Sequence, residues 1–404
     1  MKCLKTVAAA IILALPPQGC EPFRDLGLEG PPRRAVNAPG RTETEDEDPD
    51  MVAMYAVAVE YPPGYDFLRD SLRGEGAKII LYRDGKPALS FPAGGVDLDS
   101  GGVVDGHLYS SRVSSGRTEI LCDGLSVASY DGEESIAGIL PDRAGAVTLG
   151  RNRYGGGFSC RRDGKVIFSS DKGILVGPED GGGALRRYGD GFVFFYGLPV
   201  VAVGGAAFHY YMVDEDGETR LGLPDDVAGV CDAVREESDV CVVALKAGNI
   251  PGAVLLRGGS RFDLKGISQD NSFSGLRIFH RGTSVFVTGF LSSAGKTYRV
   301  VWDSAGKILF KLLIYYSNWI YPDDDYYCVE RREDDILFSR KGQILFTTSG
   351  LFWSSRCAVF HDGKIHAAVS SSDGASSTVY LADGTPEMTL KGIVTGVYFS
   401  SRSP

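Results

Sequence analysis

Cys357-Ala-Val-Phe-His-Asp-Gly-Lys-Ile-His-Ala-Ala-Val369, followed after a polar break by Ser377-Thr-Val-Tyr-Leu-Ala-Asp-Gly-Thr-Pro-Glu-Met-Thr-Leu390, reads as four short strands. The runs are residues 357–360, 364–369, 377–381 and 386–390, rich in β-branched and aromatic side chains that suit a pleated, half-buried surface. Asp362-Gly363 and Asp383-Gly384 close hairpins, because a two-residue primed turn needs two positions at positive φ and Asp-Gly supplies them. The same frame fits residues 274–315, with strands at 276–279, 284–290, 297–302 and 307–313. Units at 102–130 and 135–172 are tighter versions, and those at 184–224 and 318–350 fit less closely. No long helical pattern occurs, and the single candidate is a short turn near residues 66–73.

One such turn recurs per unit: Asp84-Gly85, Asp123-Gly124, Asp163-Gly164, Asp216-Gly217, Gly258-Gly259, Ala305-Gly306, Lys341-Gly342 and Asp383-Gly384. Their mean spacing of about 43 residues, with four strands per unit, indicates an all-β fold of radially packed sheets, a β-propeller. The first unit, 51–95, has three strands and lacks an inner one, while Ile393-Val-Thr-Gly-Val-Tyr-Phe399 is a spare strand at the other end. That strand is expected to pair with residues 52–59 and close a ring of eight four-stranded blades, or seven if one weak unit is not a full blade. The chain resembles the β-propeller class over roughly 350 residues. It lacks the Gly-His and Trp-Asp signatures and the kelch double glycine, so the resemblance implies architecture and assigns no catalytic residue.

Gly makes up 53 of 404 residues, hydrophobic residues 43% and charged residues 23%, which suits a turn-rich chain with a core. The net charge of −10 argues against nucleic acid and polybasic membrane contact as partners. Lys2 and Lys5 precede the apolar run Val7-Ala-Ala-Ala-Ile-Ile-Leu-Ala-Leu15. That run is too short to span a bilayer and suits a secretory signal. Ending at Gly19-Cys20, it resembles a bacterial lipoprotein signal, which implies cleavage and lipidation at Cys20. The expected organisation is a signal peptide over 1–19, a disordered acidic tether over 20–50 carrying Glu43, Glu45, Asp46, Glu47, Asp48 and Asp50, and the propeller over 51–404. The implied location is the bacterial envelope, periplasmic or at the cell surface, with the membrane contacted through the lipid alone.

The eight cysteines form no Cys-x-x-Cys motif, so zinc is not indicated. Cys231 and Cys241 flank a hairpin turn and are a possible disulfide. His361 and His366 straddle another turn, and Asp214-Glu-Asp216 and Asp323-Asp-Asp325 offer oxygen ligands, yet solvated turn charge explains each as well; no metal and no cofactor are expected. No Gly-x-Ser-x-Gly nucleophile elbow and no phosphate loop occur.

In a four-stranded blade, turns between strands one and two and between three and four lie on one face, and the remaining connections lie on the other. The second set reads as the longer and more aromatic: residues 61–76, 196–207, 315–325 and 350–354. Tyr61, Tyr65, Tyr316, Asn318, Trp319, Tyr321, Phe352 and Trp353 are therefore the candidate ligand-binding residues. The function expected is binding of a protein or glycan through that face. A propeller hydrolase or lyase acting on glycans through carboxylates at the central pocket is the alternative, and a structural envelope component is the third reading.

Overall fold

The structure, a computed structural model, describes residues 52–65, 76–142, 145–153, 156–177, 184–202, 205–237, 239–248, 252–268, 271–281, 284–314, 318–321, 327–381 and 383–401. The expected signal sequence, Cys20, the expected acidic tether, the expected short turn near 66–73, Tyr316 and Asp323–Asp325 lie outside the described residues. The described chain forms eight antiparallel sheets arranged as a propeller ring, with each sheet one blade. Strands are lettered a to d from the central channel outwards.

Blade 2 shows the plan, with strands Val96–Val104, His107–Ser114, Arg117–Cys122 and Leu125–Asp131. Blade 3 follows with Glu134–Asp142, Gly145–Asn152, Phe158–Arg162 and Lys165–Ser170, and blade 5 with Val227–Arg235, Val240–Lys246, Ala253–Arg257 and Ser260–Asp263. Blade 6 comprises Asn271–Arg281, Ser284–Ser293, Lys296–Asp303 and Ile308–Ile314; blade 7 comprises Asn318–Tyr321, Tyr327–Arg332, Asp335–Arg340 and Gln343–Ser349. Blade 8 is Ala358–His361, Lys364–Ser370, Ser376–Leu381 and Pro386–Lys391. Blade 4 departs from the plan. Its inner strand is split into Ile174–Leu175 and Arg186–Tyr188, both paired to Gly191–Ala202, followed by Gly205–Asp214 and Gly217–Arg220. The eight turns read from the sequence are the eight c–d turns, one in each blade. In five of them both turn residues have positive φ, as a type I′ turn requires: those at 84, 123, 163, 258 and 341. Only the glycine is positive at 217, 306 and 384.

A four-stranded sheet cannot cover both of its faces, so each blade buries one against each neighbour. The period of two along a strand divides the work. In Val52–Glu60, Tyr55, Val57 and Val59 pack toward blade 2 with Ile79, Leu81, Leu108 and Leu121. Met54, Ala56 and Ala58 pack toward blade 8 with Ile365, Ala367 and Val379. In Val240–Lys246, Cys241 and Val243 face blade 6, while Val242 and Ala244 face blade 4. Buried polar groups also join blades. Asp232, only 1% exposed, accepts hydrogen bonds from Arg186 of blade 4 (2.8 Å) and from the Ile278 amide of blade 6 (2.8 Å). Glu134 of blade 3 pairs with Arg161 at 2.9 Å and accepts from the Tyr130 hydroxyl of blade 2 at 2.9 Å.

Blade 1 is closed from both ends of the chain. Ile393–Ser401 is its a strand, pairing antiparallel with Val52–Glu60, and Lys78–Arg83 and Lys86–Pro92 complete it. The register runs from Val52 opposite Ser401 to Val59 opposite Ile393, with Thr395 bulged where Val57 faces Gly396 and Ala58 faces Val394. Ser377 ties the seam to blade 8: its hydroxyl donates to the Gly392 carbonyl (2.7 Å) and accepts from the Val394 amide (3.0 Å).

Inner strands of blades 3, 5 and 6 carry comparable one-residue shifts, that of blade 2 a longer one between Asp97 and Gly102, and an extra residue bends a strand and increases its twist. The hairpin register of blade 5 corrects the disulfide expectation. Cys241 lies opposite Val234, while Cys231 sits in the irregular stretch between Val230 and Asp232. Three positions along a strand is roughly 10 Å, beyond disulfide reach, and both thiols are free. Among the described residues no helix is long and apolar enough to cross a membrane.

Ending the chain at residue 392 should remove the a strand of blade 1 and expose Tyr55, Val57 and an open sheet edge. The truncated protein is expected to lose its cooperative melt, and the peptide 393–404 supplied in trans to restore part of it. A truncated chain that melts within about 2 °C of the full one would show that the ring does not depend on this seam.

Candidate functional site

The face bearing the b–c and d–a connections, the loop face, is less uneven than the sequence suggests. Blades 2, 6 and 7 make their b–c connections in two residues, Ser115-Gly116, Ala294-Gly295 and Glu333-Asp334. Residues 196–207 are not a loop. They extend a long hairpin in regular register from Val193 opposite Asp214 to Ala202 opposite Gly205. Pro199 is tolerated there because the short a-strand pieces pair no farther along than Gly197, so its missing N–H breaks no ladder on that side. Residues 315–325 are not one loop either, since Asn318–Tyr321 is the inner strand of blade 7, with Trp319 opposite Val329. The backbone thus places Asn318, Trp319 and Tyr321 beside the central channel rather than on a loop.

Two features remain on the loop face. Residues 61–77 connect strands b and c of blade 1. There Tyr61 and Tyr65 stack with centroids 4.7 Å apart and planes 8° from parallel. The turn is held by the Tyr65 amide donating to the Pro62 carbonyl (3.2 Å), and Tyr61 also rests against the core between blades 1 and 2. Burial, then the neighbouring Tyr65, raises the Tyr61 phenol above its ordinary range. The second feature is the connection from blade 7 to blade 8, residues 350–357, ending in a 3-10 turn over Ser355–Cys357. Phe352 is 3% exposed and belongs to the core, and Trp353 is half-buried against the same cluster. Phe352 is therefore a packing residue and cannot offer its ring to a ligand. The segment crosses the seam: the Ser354 hydroxyl donates to the Thr395 carbonyl (3.3 Å), and the Cys357 thiol to that of Val394 (3.2 Å). Arg356 reaches over blade 1 to the Leu98 carbonyl of blade 2 (2.8 Å) and to that of Asp99.

The opposite face, bearing the a–b and c–d turns, holds a cluster that the sequence did not single out. His107 opens strand b of blade 2, and Cys122 ends strand c, with Asp123 as the first residue of the turn that follows. Tyr109 lies opposite Cys122, so the period of two puts His107, Tyr109 and Cys122 on one side of the blade. His107 Nδ1 and Asp123 Oδ2 are 2.6 Å apart, and Asp123 Oδ1 accepts from the Leu108 amide at 2.9 Å. The Asp123 hydrogen bond first, then that of Cys122, raises the His107 pKa from 6.5 to about 10. One donor atom from each of His107, Cys122 and Asp123 lies within 4.8 Å of the other two. His107 and Cys122 are fifteen residues apart in sequence, and only the strand register brings them together.

The histidines read as straddling a turn, His361 and His366, flank Phe399 of the closing strand. His361 stacks on it at 3.9 Å and 12°, and His366 meets it edge-on at 4.8 Å and 62°. His366 Nδ1 is 2.7 Å from Glu387 Oε2. Burial first, then His366, lowers the His361 pKa below 6.5, against a smaller opposite pull from Asp362. A depressed folded-state pKa means that this contribution to stability is present above the unfolded value of about 6.5 and is lost as pH falls through the folded value. His361→Phe, which keeps a ring on Phe399 without a proton site, should melt with less dependence on pH than the parent below pH ~6.5. Parallel melting curves for the two proteins from neutral to mildly acid pH would exclude His361 as the origin of that dependence.

No family model and no curated protein matches the chain. Among solved structures it is similar to dihydro-heme d1 dehydrogenase NirN in complex with DHE, at 14% identity over 93% of this chain and 82% of that one, with a TM-score of 0.53. It also matches prolyl oligopeptidase B from Galerina marginata at 10% identity, over 75% of this chain and 52% of that one, with a TM-score of 0.40. At these identities the likeness to NirN is one of fold, and it runs along almost the whole chain.

Proposed function

We propose that this protein is an exported, lipid-anchored propeller that binds a protein or glycan of the cell envelope on its loop face. The supporting observation is the stacked pair Tyr61–Tyr65, held on the longest b–c connection of the ring. Loops fixed by a rigid scaffold are the usual carriers of recognition, and tyrosines supply apolar area with a polar tip at little entropic cost. Trp353, half-buried on the same face, extends that surface from blade 8. Export and anchoring rest on Val7–Leu15 and Gly19-Cys20.

A glycan hydrolase would need two carboxylates facing each other roughly 5–10 Å apart across the bound sugar. The buried inner-strand carboxylates Glu134 and Asp232 are instead committed to Arg161 and Arg186 and to the neighbouring blades. That commitment favours binding over hydrolysis.

Tyr65→Ala is the direct test, because Tyr61 also supports the core. Against soluble envelope glycans and, separately, solubilised envelope proteins, the variant is expected to bind one of them at least tenfold more weakly, in line with hot-spot truncations of about 2 kcal/mol. Its melting temperature should be unchanged. Unaltered binding in Tyr65→Ala would remove this face from consideration. The anchor has its own test: Cys20→Ser should move the protein from the detergent phase to the soluble fraction. A soluble wild-type protein whose mature chain starts at another residue would refute lipidation.

A further inference from the structure

The turn that carries Asp123 is one of three alike. In blades 1, 2 and 3 the c–d turn aspartate donates its amide to a b-strand carbonyl and accepts, through Oδ1, the amide of the same b-strand residue. The pairs are Asp84 with Met54, Asp123 with Leu108, and Asp163 with Ala146, at 2.8–3.0 Å throughout. These aspartates stand at φ of 46°, 53° and 51°, a region that Asp tolerates better than most residues. The clasp accounts for the aspartate in each blade. It does not account for what stands beside it. The residue before the clasped b-strand position is Ala53 in blade 1 and Gly145 in blade 3, but His107 in blade 2. The residue before the aspartate is Arg83 in blade 1 and Arg162 in blade 3, but Cys122 in blade 2. The same backbone device is therefore built twice without an imidazole and a thiol, and once with both.

Three different donor atoms, one nitrogen, one sulfur and one oxygen, converge at that point. Calcium and magnesium prefer all-oxygen shells, whereas thiolate and imidazole together suit a borderline-soft ion such as zinc. Asp123 can serve both the fold and an ion, since Oδ1 holds the Leu108 amide and Oδ2 faces His107. A tetrahedral ion with bonds of about 2.0 Å to nitrogen and oxygen would spread Nδ1 and Oδ2 from 2.6 Å to about 3.3 Å. That is a small opening of a half-buried contact. We propose that His107, Cys122 and Asp123 form a zinc(II) site on the turn face of blade 2, with three protein ligands and a fourth position left to water or a ligand. The site is independent of the tyrosine loop, which lies on the opposite face.

Cobalt(II) followed by zinc(II) is the probe, applied to the full chain after treatment with a chelator. The expected result is one equivalent of cobalt bound with a thiolate-to-cobalt charge-transfer band, bleached by zinc. Cys122→Ser, close in volume to the parent and so expected to fold, should abolish the band, and His107→Ala should weaken cobalt binding at least tenfold. Zinc should also raise the melting temperature of the wild type but not that of Cys122→Ser, a readout that does not depend on His107→Ala folding. Absence of the band at millimolar cobalt, or a band of equal strength in Cys122→Ser, would overturn the site.

Discussion

Every blade here needs two neighbours, and that requirement makes the pairing of Ile393–Ser401 with Val52–Glu60 the constraint on which the rest depends. A single four-stranded sheet exposes two apolar faces, and only a closed ring has no end blade with one of them bare. The seam is reinforced beyond its ladder. Ser377 holds the chain as it leaves blade 8, Ser354 and Cys357 hold the start of the closing strand, and Arg356 reaches across to blade 2. The residues that do this come from the connection that otherwise looks most like a recognition loop. Packing and closure absorb Phe352 outright and part of Trp353.

The turn glycines add a second kind of order. A Cβ at Gly124 would come within 2.6 Å of the Phe91 ring on the outer strand of blade 1, and one at Gly384 within 2.9 Å of Phe346 on that of blade 7. The glycine that supplies positive φ thus also lets each of these turns nest against the preceding blade. The signal from which the repeat is read is for this reason also a packing requirement at these positions, whereas a Cβ at Gly217, Gly259 or Gly342 would meet open space.

What the sequence made legible was what depends on local chemistry. The c–d turns follow from dipeptides, and the spare strand follows from counting strands in the first unit. What stayed hidden depends on register and on the third dimension. Asn318–Tyr321 is aromatic and borders a polar run, so it reads as loop until pairing with Tyr327–Arg332 is seen. Gly197 and Pro199 read as breakers, although they sit where one side of the strand has no partner to lose. Cys231 and Cys241 look opposed until the hairpin register sets Val234 opposite Cys241. His107 and Cys122 look unrelated until Tyr109 is placed opposite Cys122. Of the eight aromatic and polar candidates for the loop face, the structure brings Tyr61 and Tyr65 into contact, sends Asn318, Trp319 and Tyr321 to the inner strand and Phe352 to the core, and leaves Trp353 half-buried on the loop face.

The pairing of Val52 with Ser401 also fixes where the chain enters the ring. Strand b of blade 1 starts at the turn face and runs toward the loop face, where residues 61–77 begin. Residue 52 therefore stands on the turn face, at the start of strand b of blade 1. His107, Cys122 and Asp123 stand on that same face and the tyrosine loop on the other, so the thickness of the ring keeps the two groups in contact with different bodies of solvent.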